Sequence, residues 1–556
     1  MNLAEALDAC ADCDALRQAL ADFNETSEQI FQFPQISDSE KERISCQLCR
    51  LLRESTDHEQ KLTAARSLKI LSRDKQGVDR LASVELVTLL GELARYIPSS
   101  QSTEESARLE AKRSLCNFCF NSPLCRSHCA NMPPLIKGIV TSIETAVTPQ
   151  TGGAGGEGDE PLGSQEELLF DYRVLFLLTA LCADVRRTVA LQLNGVSVLI
   201  SGLEAVLQSR ESDLALLADD QVDLATENLK SFFNFGLLSA DVWESQTDVE
   251  MPKLLHDTAE ICRKLLVSRA KTPQKELDLH GAVINLLTRV PRFTFDLLTP
   301  PVQNSPADSP HPDPSGCSYD GRDMRAIGSL VDYLDHQLQL PSRQWPEATM
   351  AVLSVLMSMA AYSRPLRKYL RLRLLPPRDN PYERPESGTE LSNKLIKAMT
   401  SVSEVKNLAA GLLFELCKRS VDRLIKYTGF GNAAGMLADF GLFGTLSLGY
   451  SLANNTDNMR LILSLVGSIW RLSRSAEYGP GLSSDENSDT ESYAAVRDQL
   501  NPVTGAVEPE VPEPFAGCKE HLLETAGELG PNQGQGLGRR TQQGDEFTNA
   551  RAKHCF

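Results

Sequence analysis

A buried helix, a turn, a short helix, a glycine break and an amphipathic helix follow one another between Glu167 and Leu207. The stretch reads ELLFDYRVLFLLTALCADVRRTVALQLNGVSVLISGLEAVL. From Leu168 to Leu181 apolar residues point in every helical direction, as they do in a helix with neighbours all round. Asp184 is placed to cap the short helix, with Arg186 and Arg187 facing water and Val185, Val189 and Leu193 facing inward. Asn194-Gly195 tolerates positive φ and breaks the chain. Val198, Leu199, Leu203, Val206 and Leu207 then line one side of a third helix. Such a unit buries its apolar faces only by stacking on others like it.

The buried helix recurs. It reads SLKILSRD at Ser67–Asp74, SLCNFCFN at Ser114–Asn121 and LKSFFNFG at Leu229–Gly236, then AVINLLTRV at Ala282–Val290, AVLSVLMSM at Ala351–Met359 and AAGLLFELC at Ala409–Cys417. The anchors Leu68, Leu115, Leu177, Phe232, Ile284, Leu353 and Leu412 lie 47 to 69 residues apart, slightly beyond the roughly 40–47 residues of armadillo and HEAT units. Almost nothing alternates with period two over a strand length. The expected fold is therefore all-α, an armadillo/HEAT-like superhelical solenoid over residues 1–443. Two inserted loops, about 148–167 (Gly-rich, acidic) and 301–322 (Pro-, Ser- and Asp-rich), are expected to be disordered, since neither buries enough apolar surface to offset its ordering entropy. Residues 444–481 read as an atypical insertion with one possible helix at 457–474. Residues 482–556 read as an acidic, largely disordered tail.

A formal charge of −18 and a pI near 5.1 argue against a nucleic-acid or anionic-membrane surface. No basic start precedes an apolar run, so no signal peptide is expected, and no apolar run approaches the ~20 residues of a membrane span. Most of the 14 cysteines lie inside apolar helical patterns, as reduced thiols in a cytosolic protein do.

Few motifs carry chemistry. Cys116, Cys119, Cys125, His128 and Cys129 have a zinc-like spacing, but Cys116 and Cys119 fall within a repeated buried helix, and no metal is expected. Gly429-Phe-Gly431-Asn-Ala-Ala-Gly435 lacks the strand and Lys-Ser/Thr of a phosphate loop and reads as a tight helix-to-helix corner. No nucleophile or paired-carboxylate pattern accompanies the histidines, so the chain is read as a binding protein without catalytic residues or cofactor. Asn117, Asn234 and Asn285 occupy similar places in three copies. They can form an amide ladder for a peptide backbone, or each can satisfy a helix end locally. Lys69, Arg73, Arg113 and Arg173 lie nearby, suggesting a groove for a carboxylate-bearing peptide. The basic run Arg364–Arg378 reads as a solvated face or an internal partner for acidic segments. Ser483 and Ser488, each with an acid three residues on, match an acidophilic protein kinase.

The segments LKILSRDK (68–75), SLCNFCFNSP (114–123), FDYRVLFLLTALCADVR (170–187), RPLRKYLRLRLLPPRD (364–379), LIKYTGFGNAAGMLA (424–438), SSDENSDTESY (483–493) and NPVTG (501–505) resemble the synembryn family. The resemblance spans about residues 10–510. It implies a cytosolic chaperone and guanine-nucleotide exchange factor for heterotrimeric G-protein α subunits, whose concave groove holds the Gα C-terminal helix and stabilises the nucleotide-free state. Carried over, the family's groove residues fall on Lys69 (replacing an Arg), Arg73 and Asn117, with Arg173, Asn234 and Asn285 along the same face. Its phosphorylated positions fall on Ser483 and Ser488. A monomer is expected, cytoplasmic and cortical through Gα at the plasma membrane. After NPVTG the chain departs from the family's charged terminal helix, so weak exchange beside intact Gα binding is expected. The other reading is a generic armadillo-repeat scaffold without exchange activity.

Overall fold

A computed structural model of the chain describes residues 3–10, 12–99, 103–148, 164–209, 216–236, 250–302, 317–344, 346–378, 380–439, 496, 499–501 and 503–507. Among the described residues the regular elements are helices, joined by turns and loops, apart from two antiparallel ladders of two-residue strands. They form two compact units, one ending at Val290 and the other starting at Pro291.

The first unit contains α1 (Leu3–Asp8), α2 (Cys13–Ser27), α3 (Asp38–Glu54), α4 (His58–Leu71), α5 (Val84–Leu93), α6 (Glu105–Asn121) and α7 (Pro123–Ala130). It continues with α8 (Pro133–Val147), α9 (Gln165–Leu181), α10 (Ala183–Gln192), α11 (Gly195–Gln208), α12 (Asp219–Phe235), α13 (Glu250–Val267) and α14 (Pro273–Leu287). Helices α2, α4, α6, α9, α12 and α14 pack each on the next in one row, while α3, α5, α7, α8, α11 and α13 make a second row behind them. The anchors Leu68, Leu115, Leu177, Phe232 and Ile284 fall on five successive members of the first row, all buried. The expected repeat is thus the observed one.

Local signals explain most boundaries. Ser83 and Ser122 accept from the backbone N–H three residues on and so cap α5 and α7. Helix α10 departs from expectation, because its N-cap is Cys182 and Asp184 lies within the first turn without capping. The break before α11 is made by Asn194, at φ 51°, rather than by Gly195. The loop expected over 148–167 ends early. Ser164 accepts from Glu167 N–H, so Gln165, Glu166 and Glu167 already belong to the first turn of α9, where the two carboxylates favour the helix dipole.

His280 on α14 is buried, and desolvation holds its pKa below 6.5 against the raising effect of Glu276. The unfolded chain therefore binds a proton that the folded chain resists, and stability must fall as pH drops below about 6.5 towards the lowered folded value. Unfolding of the first unit is expected to shift to lower denaturant between about pH 7 and pH 5, and His280→Leu should remove that component. A profile unchanged in His280→Leu would refute the assignment.

The second unit holds α15 (Arg325–Gln339), α16 (Pro346–Tyr362), α17 (Arg364–Leu374), α18 (Leu391–Met399), α19 (Val405–Leu416), α20 (Val421–Thr428) and α21 (Phe430–Asp439). Anchors Leu353 and Leu412 are buried on α16 and α19, which pack together. Residues 317–323, part of the other loop expected to be disordered, instead form a hairpin of β1 (Ser318–Tyr319) and β2 (Arg322–Asp323). Asp320 and Gly321, at φ 52° and 69°, give its two-residue turn the conformation hairpins prefer.

The Gly429 corner is real and has a tenant. Gly429 sits at φ 77° between α20 and α21, and a side chain there would meet the backbone of Thr504 and Gly505. A second hairpin, β3 (Leu500–Asn501) and β4 (Ala506–Val507), carries the NPVTG motif onto this corner. Gly431 N–H donates to Val503 O at 2.8 Å, Val507 N–H donates to Pro381 O at 2.9 Å, and the Arg378 guanidinium donates to Gly505 O. This stretch of the expected disordered tail is therefore folded. The basic run of α17 also turns inward: Arg367 bonds Ala360 O, Arg371 stacks on and bonds Tyr427, and Arg373 bonds Tyr369. Ser483, Ser488, the Asp457–Arg474 helix and most of 444–481 and 482–556 lie outside the described residues.

Candidate peptide-binding face

The first row is clasped by a repeated pair of side chains. On α6, Ser114 donates to Ala65 O at 3.1 Å and Asn117 donates to Lys69 O at 3.2 Å, both carbonyls on α4. On α12, Ser231 donates to Tyr172 O at 3.0 Å and Asn234 donates to Phe176 O at 3.0 Å, both carbonyls on α9. A Ser-x-x-Asn spacing thus reaches two carbonyls one turn apart on the preceding helix, which requires the two helices to run parallel. Asn234 is 2% exposed and also donates to Thr179 Oγ1. Asn121 adds a bond from the end of α6 to Ser72 O, just beyond α4. Two of the asparagine amides expected to face a ligand as a ladder are therefore already spent between helices. Neither expectation, a ladder facing a ligand or helix ends satisfied locally, describes Asn117 and Asn234, whose amides reach carbonyls of the neighbouring helix 48 and 58 residues away. Asn285 stands half-buried on α14.

The cations lie along the same row and are interleaved with acids and rings. Lys69 pairs with Glu110 at 2.9 Å, Arg113 pairs with Glu110 at 2.8 Å and with Glu166, and Arg173 lies 3.5 Å from Glu227. Lys230 reaches the same Glu227 at 3.0 Å. The Phe170 ring has the Arg113 guanidinium at 5.5 Å and that of Arg173 at 5.1 Å. Arg73 lies over Phe31 and donates to Glu28 O, Lys75 lies over Phe120, and Arg289 lies over Phe233. Phe31 itself is 60% exposed beside half-exposed Ile30. Such stacking holds cations in place at little cost in hydration.

From the helix midpoints onward, α4, α6, α9, α12, α14 and the residues just past them supply Lys69, Arg73, Lys75, Arg113, Arg173, Lys230 and Arg289. The carboxylates in those stretches are Asp74, Asp184 and Glu227, Asp74 is paired with buried Lys41, and α2, the row's first member, carries Asp22 and Glu25 in the same half. Parallel helices gather the negative ends of their dipoles on one side, which these cations offset. In these stretches of α4 to α14 cations outnumber carboxylates, although the chain as a whole carries −18.

Behind this row α6 is bolted to α9 by a buried charge quartet. Lys112 Nζ lies 3.0 Å from Glu167 and 2.8 Å from Asp171, and Arg108 lies 3.1 Å from Glu167. Tyr96 and Ser142 donate to Asp171 at 2.5 and 2.8 Å. Burial, reinforced by Asp171, holds the Tyr96 phenol well above its usual pKa, so it stays a donor. Two cations face two carboxylates, and charge balances inside the fold.

All six expected contact residues, Lys69, Arg73, Asn117, Arg173, Asn234 and Asn285, therefore fall on or at the ends of successive members of one row. The structure brings Lys69, Arg73 and Asn117 into one neighbourhood: Asn117 bonds Lys69 O, and Asn121 on the same helix contacts Arg73 O. The paired acids Glu110, Glu166 and Glu227 and the rings of Phe31, Phe120, Phe170 and Phe233 escaped the sequence reading. A Ser three residues before each Asn was the one available signal for the clasps.

The profile of the family described as guanine nucleotide exchange factor synembryn matches residues 64–520. The protein named Chaperone Ric-8A of Xenopus tropicalis is 30% identical over 529 residues, spanning 92% of this chain and 88% of that one. Its namesake in Rattus norvegicus is 32% identical over 518 residues, spanning 92% and 87%. A solved structure concerned with a phosphorylation switch between cadherin and β-catenin is 13% identical, with a TM-score of 0.46 over 84% of this chain and 75% of that one.

Proposed function

Because the chain belongs to the family of the guanine nucleotide exchange factor synembryn, we propose that its first helix row binds the C-terminal helix of a heterotrimeric G-protein α subunit. The observation that carries this reading is the run of cations from Lys69 to Arg289 along one row of an otherwise acidic chain. Arg73 and Lys75, each stacked on a ring, receive carboxylates of the incoming helix, and exposed Phe31 and Ile30 receive its apolar side. Asn117 and Asn234 hold the row in register and Asn285 lies further along it. Holding the partner's helix away from its GTPase core favours the open, nucleotide-free partner. The equilibrium shifts only as far as the chain binds that state more tightly than the closed one. The chain acts in this reading as a monomer, in the cytoplasm and at the membrane where its partner is anchored. Phosphate added at Ser483 and Ser488 by an acidophilic kinase adds negative charge near the tail.

The test is titration of a fluorescent Gα C-terminal peptide, in parallel with GDP release from the intact subunit. The double charge reversal Arg73→Glu/Lys75→Glu is expected to weaken the peptide by at least about tenfold, or about 1.4 kcal/mol. The wild-type affinity should fall as salt rises. Lys406→Glu, a paired surface lysine in the second unit, should leave it unchanged. Equal binding by wild type and double variant, or equal binding of any acidic peptide, would overturn the assignment to this face.

A further inference from the structure

Three thiols meet beneath the end of α6. Cys119 from its last turn and Cys125 and Cys129 from α7 are completely buried, and their sulfurs lie within 4.8 Å of one another. Cys129 Sγ is 3.8 Å from Cys119 Sγ and 4.0 Å from Cys125 Sγ. Neither helix is broken to achieve this, because Ser122 starts α7 one residue after α6 ends and folds it back at once. Cys116, which shares the sequence motif, is buried elsewhere in the core and is not one of the three.

We infer that Cys119, Cys125 and Cys129 form a three-thiolate site for a thiophilic closed-shell cation, copper(I) or zinc(II). Metal–sulfur bonds of about 2.3 Å place sulfurs about 3.8 Å apart in a tetrahedral set and about 4.0 Å apart in a trigonal one. The two separations from Cys129 match those values, and the third sulfur pair lies within 4.8 Å. Among the described residues no fourth histidine, cysteine or carboxylate ligand atom joins the group, an arrangement that suits three-coordinate soft ions. Binding replaces three S–H bonds by three metal–sulfur bonds and releases the three protons to solvent. The charge left over is negative. Arg126, which donates to Cys119 O at 2.7 Å and Phe120 O at 3.2 Å, supplies a cation beside it. With the sulfurs sealed from solvent, loading belongs to folding. A bound ion would fix the end of α6 that carries Asn117 and Asn121.

The full chain should be expressed with zinc or with copper supplied, purified, and its metal counted per chain. One ion per chain is expected from one of the two supplies. It should be retained in Cys116→Ser and lost in Cys125→Ser and in Cys129→Ser. Metal at trace level under both supplies, metal retained by the cluster variants, or a Cys119–Cys129 disulfide found by mass spectrometry would each overturn the inference. Since a serine at a sealed position can unfold α7 by itself, X-ray absorption of the wild-type chain is the second readout. Three sulfur neighbours at about 2.3 Å support the site, and an oxygen and nitrogen shell sinks it.

Discussion

Replacing Lys112 by alanine is expected to cost the first unit about 3–5 kcal/mol, the scale for removing one partner from a buried ion pair. The reason lies in the arithmetic of the quartet. Glu167 would keep Arg108, while Asp171 would lose the Lys112 ammonium that faces it among Tyr96, Ser142 and apolar side chains. Urea unfolding followed by circular dichroism measures the loss as a lower midpoint for the first unit. The double variant Lys112→Met/Asp171→Asn should recover much of it, since removing both charges leaves no ion unpaired. A single variant as stable as wild type would contradict the buried pairing of Lys112 with Glu167 and Asp171.

Gly138→Ala is the second large effect, at about 3 kcal/mol or more. In the middle of α8 this glycine lies against the backbone of Tyr96, and a Cβ there would enter the van der Waals envelope of the Tyr96 carbonyl. That carbonyl cannot swing aside. The turn holding it is fixed by Arg95 at φ 61° and by the Tyr96 N–H, which donates to Gly91 O at 2.8 Å. The obstacle is backbone, so no rotamer change relieves it. Gly435, inside α21 with no atom of the described residues within 4 Å of its Cβ position, is the control. Alanine there should be neutral or stabilise by up to about 1 kcal/mol, by helix propensity alone. Equal thermal shifts for the two variants would contradict the packing of α8 on this turn.

The two predictions rest on features that the sequence made legible to different degrees. Helical period and turn chemistry were enough to find the row, because Leu68, Leu115, Leu177, Phe232 and Ile284 are buried by local amphipathicity that any stacked unit must show. The six residues expected to contact a ligand lie along the same row, three of them also marked by the family resemblance. The quartet was not visible, since Lys112, Glu167 and Asp171 look like ordinary exposed helix charges until α6 and α9 are laid side by side. Burial elsewhere behaves conventionally: it pushes the Cys262 and Cys417 thiols up to about 12. The cysteine spacing was visible and discounted because Cys116 and Cys119 lie within the repeated buried helix; the fold-back at Ser122 unites Cys119 with Cys125 and Cys129 without breaking that helix. The NPVTG hairpin was missed for a similar reason, as its partners at Arg378, Pro381 and Gly431 are remote in the chain.

The Ser-x-x-Asn clasps have a mechanical corollary. Each holds two acceptors one turn apart, so sliding one helix along its neighbour by a single residue, about 1.5 Å, breaks both bonds at once. Tilting stretches them only gradually. Neighbouring layers are thereby notched axially while remaining free to hinge. A cargo that levers such a spring flexes it without letting it slip a tooth, and the spring returns to the same notch on release.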